Sequence, residues 1–310
     1  MTRIAALLLG AAIALPAAAQ EAETCKQVTF SDVGWTDITT TTAVATTILD
    51  ALGYETEIEV LALPVTFTAM STNDIDVFLG LWMPSMEADI APYREAGTID
   101  MVRTNLTGAK YTLATNQAGA DLGITDFSNI AAQEKALDGK IYGIEPGNDG
   151  NRLLIEMVGE DKFGLGAFDI VESSEQGMLG QVARESKAGK PIVFLGWEPH
   201  PMNSEFDLTY LAGGDDIFGP NLGGAEVLTT SRAGYVEECP NVGKFLQNLE
   251  FTLAMENEIM GAILNDKADP GDAAKAWLKA NPDAAPAWLD GVTAQDGRDA
   301  VEVLTAALTD

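Results

Sequence analysis

Histidine is almost missing from this chain of 310 residues, where His200 is the only one. A Ser-His-Asp or Cys-His nucleophile would have to be built around that ring, and cysteine is nearly as scarce, with Cys25 and Cys239 alone. The familiar motifs of chemistry are absent too: no Gly-rich phosphate loop ending in Lys-Ser/Thr, no G-x-G-x-x-G, no G-x-S-x-G and no H-E-x-x-H. Carboxylates alone can do acid and base work, so catalysis is not excluded. Nothing in the sequence asks for it, however, nor for a metal or a cofactor.

Cations are also short. Asp and Glu number 47 against 18 Lys and Arg, a net charge of −29. Such a surface repels nucleic acid and anionic membranes, tolerates a cationic small molecule, and serves solubility. Long apolar runs are limited to residues 4–15, between Thr2-Arg3 and Pro16-Ala17-Ala18-Ala19. That stretch reads as a signal peptide over 1–19 and is too short to span a bilayer. The mature chain is therefore expected to begin at Gln20, in the periplasm, with enough residues for two modest lobes. In that oxidising compartment the two cysteines are expected to pair.

What is present is an alternation of elements. Residues 41–52 place Val44, Ile48, Leu49 and Leu52 at helical spacing, and Gly53 ends them. Residues 56–61 alternate as a strand, 64–70 form a short helix, 75–81 a strand, and 84–96 a helix closed by Gly97. Strands are expected at 101–106 and 111–115, the second crossing between lobes. A second set follows: helix 127–137, strand 140–144, helix 151–158, strand 168–171, helix 176–188 and strand 192–195, with 207–211 as the return crossing. From 227–230 onward the pattern becomes mostly helical, at 242–249, 253–264, 273–279 and 297–308. This predicts an α/β fold with a parallel sheet covered by helices. A bridge between the cysteines puts both chain ends in one lobe, so 20–110 with 208–310 form lobe 1 and 111–207 form lobe 2.

Three tryptophans stand where strands end. Gly34-Trp35-Thr36-Asp37 follows Val28-Thr29-Phe30, Trp82 follows 75–81, and Trp197 follows 191–196. For any one tryptophan, a place in the core is the better reading by roughly two to one, and Trp277 and Trp288 are assigned there. Three at equivalent strand ends favour a shared cleft, because open α/β sheets bind ligands at the carboxyl ends of their strands. Tyr111 opens the crossing strand. Such rings suit a quaternary ammonium ion, which donates no strong hydrogen bond and is drawn to the faces of π systems. Asp37 is either an acceptor at that site or the N-cap of the following helix, and Asn148, in the loop 145–150, has the same two readings.

Together, Gly34-Trp35-Thr36-Asp37, Gly80-Leu81-Trp82-Met83-Pro84, Lys110-Tyr111, Pro146-Gly147-Asn148-Asp149-Gly150 and Gly196-Trp197-Glu198-Pro199-His200-Pro201 resemble the periplasmic choline-binding proteins. These are the substrate-binding components of choline ABC transporters, within the wider family of betaine and choline binding proteins. The resemblance implies a two-lobed type II binding protein with the ligand cleft between the lobes and two crossing segments. It implies a monomer that is not an enzyme and that hands its ligand to a membrane permease. Residue by residue, it makes Trp35, Trp82, Tyr111 and Trp197 a cage for a trimethylammonium group, sets Asp37 and Asn148 at the ligand hydroxyl, and pairs Cys25 with Cys239. A ligand carboxylate would face Asp37, so choline ranks first, choline esters next, and glycine betaine or sulfonium osmolytes such as dimethylsulfoniopropionate third. Lys110, Arg152 and His200 are the cations that could rescue an osmolyte. The reading from another class is a periplasmic enzyme acting on a choline-like compound, with Asp37 or Glu198 as base.

Overall fold

A computed structural model describes residues 23–309; the expected signal peptide lies outside the described residues. The strands are β1 (Gln27–Asp32), β2 (Glu55–Val60), β3 (Val77–Met83), β4 (Ile99–Asn116), β5 (Lys140–Tyr142), β6 (Asp169–Val171), β7 (Val193–Glu198), β8 (Leu208–Tyr210) and β9 (Gly224–Arg232). They run in the order β2-β1-β3-β9-β4-β7-β5-β6, with β8 beside β4. Parallel pairs lie at both ends, β2-β1-β3 and β7-β5-β6, each built from β-α-β units. The antiparallel strands β9 and β4 join them, which gives two α/β lobes.

β4 makes the join by belonging to both sides. Its first part pairs with β9 as far as Lys110, and from Lys110 to Thr115 it pairs with β7. The two strands expected at 101–106 and 111–115 are therefore one, whose partner changes from β9 to β7 at Lys110. The segment expected as the return crossing, 207–211, contains β8. Leu208–Tyr210 pairs with Ala114–Asn116, and Phe218 packs on Phe127 and Tyr111, so these residues stay with the middle segment. At the start of β9, Gly224 and Ala225 pair with Lys110 and Ala109.

The longer helices are α1 (Thr36–Ala51), α2 (Leu63–Ser71), α3 (Glu87–Ala96), α4 (Asp149–Gly159), α5 (Glu175–Ala188), α6 (Pro240–Asn248), α7 (Leu253–Leu264), α8 (Pro270–Ala280) and α9 (Ala300–Thr309). α1 starts well before residue 41. Its opening run of Thr and Ile is poor in helix formers, but nearly every residue of the run is buried, and burial overrides propensity. Gly80 brings α1 close to β3: a Cβ there would lie 2.6 Å from Cδ1 of Ile38. The segment 127–137 is helical only over Phe127–Ile130, followed by a 3-10 turn.

The Cys25–Cys239 disulfide is formed, with both residues fully buried. It ties the head of β1 to the start of α6, 214 residues further along the chain. Trp277 and Trp288 pack among the C-terminal helices, with their indole nitrogens donating to Glu258 and to the Glu250 carbonyl. No helix among the described residues is long and apolar enough to cross a membrane.

Candidate functional site

The rings predicted to converge do converge. Trp35, Trp82, Tyr111 and Trp197, with Asp37, Met86, Ile144, Asn148 and Asp149, line one cavity between the lobes. Each ring arrives by a different local device. Trp35 is the residue before α1, reached through Gly34 at φ +82°, and Asp32 holds that turn by accepting from the Gly34 amide and the Thr39 hydroxyl at 2.7 Å each. Trp82 is near the end of β3. Tyr111 and Trp197 are direct partners across β4 and β7, with ring centroids 6.3 Å apart, and Trp82 stands 6.0 Å from Tyr111. None of the four is more than 6% exposed.

Asp37 is not the N-cap of α1, a position held by Trp35 without a side-chain bond. Its Oδ2 accepts from the Trp82 indole at 3.1 Å, while Oδ1 is buried with no partner. Burial, then the charge of Glu175, pushes its pKa up to about 8. Asn148 is the N-cap of α4 and also lines the cavity. Its Oδ1 caps α4 through the Asn151 amide at 3.0 Å, and it also accepts from the Tyr111 hydroxyl at 2.9 Å. Gly150 permits that approach, since a Cβ there would lie 2.0 Å from the tyrosine oxygen. The Asn148 amide donates to Asp149, whose other oxygen is also buried and unpartnered, and burial pushes Asp149 up to about 6.

The three cations named from the sequence are all engaged outside the cavity. Lys110 pairs with Glu198 at 2.8 Å. Arg152 reaches across to Asp89 at 2.8 Å and to the Ser85 carbonyl at 2.9 Å. His200 is buried, accepting from the Met202 amide through Nδ1, with Nε2 3.2 Å from Glu175. The cavity wall thus carries two carboxylates and no cation. Sequence reasoning missed Met86, Ile144 and Asp149; only Asp149, next to Asn148 in the same loop, had a signal. It also missed Glu145 and Glu175, which hold Trp35 and Thr36 from the other lobe. Among the described residues no group of three or more His, Cys, Asp or Glu could hold a metal ion.

Residues 26–280 match the family model described as the substrate-binding domain of the ABC-type glycine betaine transport system. Among solved structures, an ABC-transporter choline binding protein in complex with choline is 67% identical, at a TM-score of 0.92 over 93% of this chain and 100% of that one. An ABC-transporter choline binding protein in an unliganded semi-closed conformation, also 67% identical, has a TM-score of 0.85 over 92% of this chain and 99% of that one. An uncharacterised protein, ORF1 of Chromohalobacter salexigens, is 45% identical over 151 residues, covering 49% of this chain and 96% of that protein.

Proposed function

The chain belongs to the family of substrate-binding domains of ABC-type glycine betaine transport systems, and we propose that within it this chain is a periplasmic choline receptor that delivers its ligand to the membrane permease. The observation that carries the choice of ligand is the cavity wall: four aromatic rings and two buried carboxylates with no cation among them. A trimethylammonium group needs π faces, at up to about 2 kcal/mol per desolvated ring. The gross gain of roughly 8 kcal/mol is partly offset by lost ligand freedom, while buried methyl groups add to it. The net is compatible with affinity near the micromolar range, about −8 kcal/mol.

Trp35, Trp82, Tyr111 and Trp197 are proposed as the cage. Oδ1 of Asp37, unpartnered, is the acceptor for the ligand hydroxyl, and Asn148 holds Tyr111 and offers its remaining amide proton beside it. The lobes are proposed to be 20–110 with 224–310, and 111–223, closing over the ligand. The nearer likeness to the choline-bound relative than to the semi-closed one supports reading this structure as the closed state. Export through residues 1–19 belongs to the same proposal, and N-terminal sequencing of the periplasmic protein tests it.

The description of the family model favours a second reading, a glycine betaine receptor. It would bring a carboxylate into a cavity that already holds two, without a cation to meet it. Calorimetric titration of ligand-stripped protein with choline and glycine betaine in parallel separates the two readings. Tighter choline binding is expected, and tighter betaine binding would reverse the assignment. A catalytic role is tested on the same samples, since NMR would show any product formed from choline or acetylcholine.

A further inference from the structure

We propose that Glu175 is the closure latch of this receptor, a positioning residue that caps α1 from the opposite lobe when the cleft is shut. The inference rests on the choline-receptor reading above.

A helix N-terminus leaves backbone N–H groups that need acceptors, and most helices supply one from the residue before the first turn. α1 does not: that residue is Trp35, and its side chain makes no capping bond. The acceptor comes from 139 residues away. Oε2 of Glu175 takes the Thr36 amide at 2.9 Å, and Oε1 takes the Thr36 hydroxyl at 2.5 Å. Glu175 is fully buried, so its charge requires such donors. His200 supplies a third. Because Nδ1 of that ring accepts from the Met202 amide, the ring proton is on Nε2, facing Glu175 at 3.2 Å.

The latch is joined to the cage. The backbone amide of Glu175 donates to Oε1 of Glu145 at 2.8 Å, and Oε2 of Glu145 accepts from the Trp35 indole at 3.1 Å. Trp35 and Thr36 are therefore each gripped by one carboxylate of the other lobe, and the two carboxyl-bearing residues are bonded to each other. Closure also brings the Glu175 charge towards Asp37, whose pKa it helps to raise. An empty closed cleft thus disfavours the charged form of Asp37, and a bound cation relieves that cost, which couples the latch to a cationic ligand.

The test is Glu175→Gln, with inter-lobe distances read from spin labels at Lys162→Cys and Lys279→Cys and choline release read by stopped-flow tryptophan fluorescence. Loss of a hydrogen-bonded buried charge predicts choline binding weakened about tenfold or more, nearly all in the dissociation rate, and a smaller closed fraction at saturation. The melting temperature of the ligand-free protein stays near that of the wild type. Thr36→Val gives a smaller effect of the same kind, and the double variant is no worse than Glu175→Gln alone. Wild-type closure and release in Glu175→Gln would overturn the proposal, as would a lowered ligand-free melting temperature with unchanged affinity. Should choline fail to close the wild type, the receptor reading falls, and the latch is then judged without ligand. Fewer closed molecules in Glu175→Gln than in wild type would sustain it, and equal distributions would overturn it.

Discussion

The indole nitrogen of Trp82 lies 3.1 Å from Oδ2 of Asp37, so one wall of the cavity also orients its acid. The second oxygen, Oδ1, is left buried without a partner. A fully satisfied carboxylate would have nothing to offer a ligand; this one keeps an unpartnered acceptor, and Asp37 lines the cavity.

Asp37→Asn keeps the shape and removes the charge. Choline affinity should fall about tenfold or more, the scale of a lost charged hydrogen bond, while glycine betaine loses less or gains. The choline-to-betaine affinity ratio, measured by calorimetry, is the readout. An unchanged ratio would remove Asp37 from ligand selection.

Truncating a cage ring should cost about tenfold or more in choline affinity for each of Trp35→Ala, Trp82→Ala and Trp197→Ala. Trp82→Ala should be the most damaging, because it also frees Asp37. Circular dichroism confirms that each variant is folded, since loss of a buried indole also lowers stability. Normal affinity in all three would sink the cage.

Affinity should rise with pH. Burial lifts Asp37 to about 8 and Asp149 to about 6, and it lifts Asp32, Glu145 and Glu256 in the same direction. An unfolded carboxylate titrates near 4, so between about pH 4 and 8 the empty folded protein holds protons that the unfolded chain has released. Its stability is therefore greatest at the acid end and is lost as pH rises through the folded values. A bound quaternary ammonium supplies the missing counter-charge, so choline binding should release protons and tighten from about pH 5 to about pH 8. Calorimetry in buffers of different ionisation heat counts the protons. A pH-independent affinity with no proton release would contradict the assignment.

Replacing both Cys25 and Cys239 with serine should lower stability by about 2–4 kcal/mol, because the bridge closes a loop of 214 residues. Neither cysteine lines the cavity, so choline affinity should stay within about twofold of the wild type. A large loss of affinity in the folded variant would mean that the bridge acts on the site as well as on the unfolded chain.

The parts of this molecule that could be read in advance are those governed by local pattern. The apolar runs at 75–81 and 191–196 became β3 and β7, and their tryptophans fell at the strand ends where an α/β sheet presents ligands. The breaks at Gly108 and Lys110 hid the continuity of β4, because a strand that changes partners midway carries no single alternation. β9, read from 227–230 as the start of a mostly helical region, lies in the middle of the sheet. Apolar spacing marks α1 only from residue 41, because Thr-rich sequence has weak helix propensity, and burial makes its first turns helical.

Composition and spacing by themselves determined the α/β class, the three strand-end indoles, the cysteine pair and the scarcity of catalytic side chains, since each depends on neighbours in the chain. The tertiary structure alone decided which charges meet. Lys110, Arg152 and His200 are close to the site in sequence, yet each is held by a carboxylate outside the cavity. Asp37 and Asp149 are left facing the rings, and Glu175 meets Thr36 across the cleft. The reason is physical: the cost of burying a charge is settled by its partners in space, and here several of those partners are tens to more than a hundred residues away in the chain.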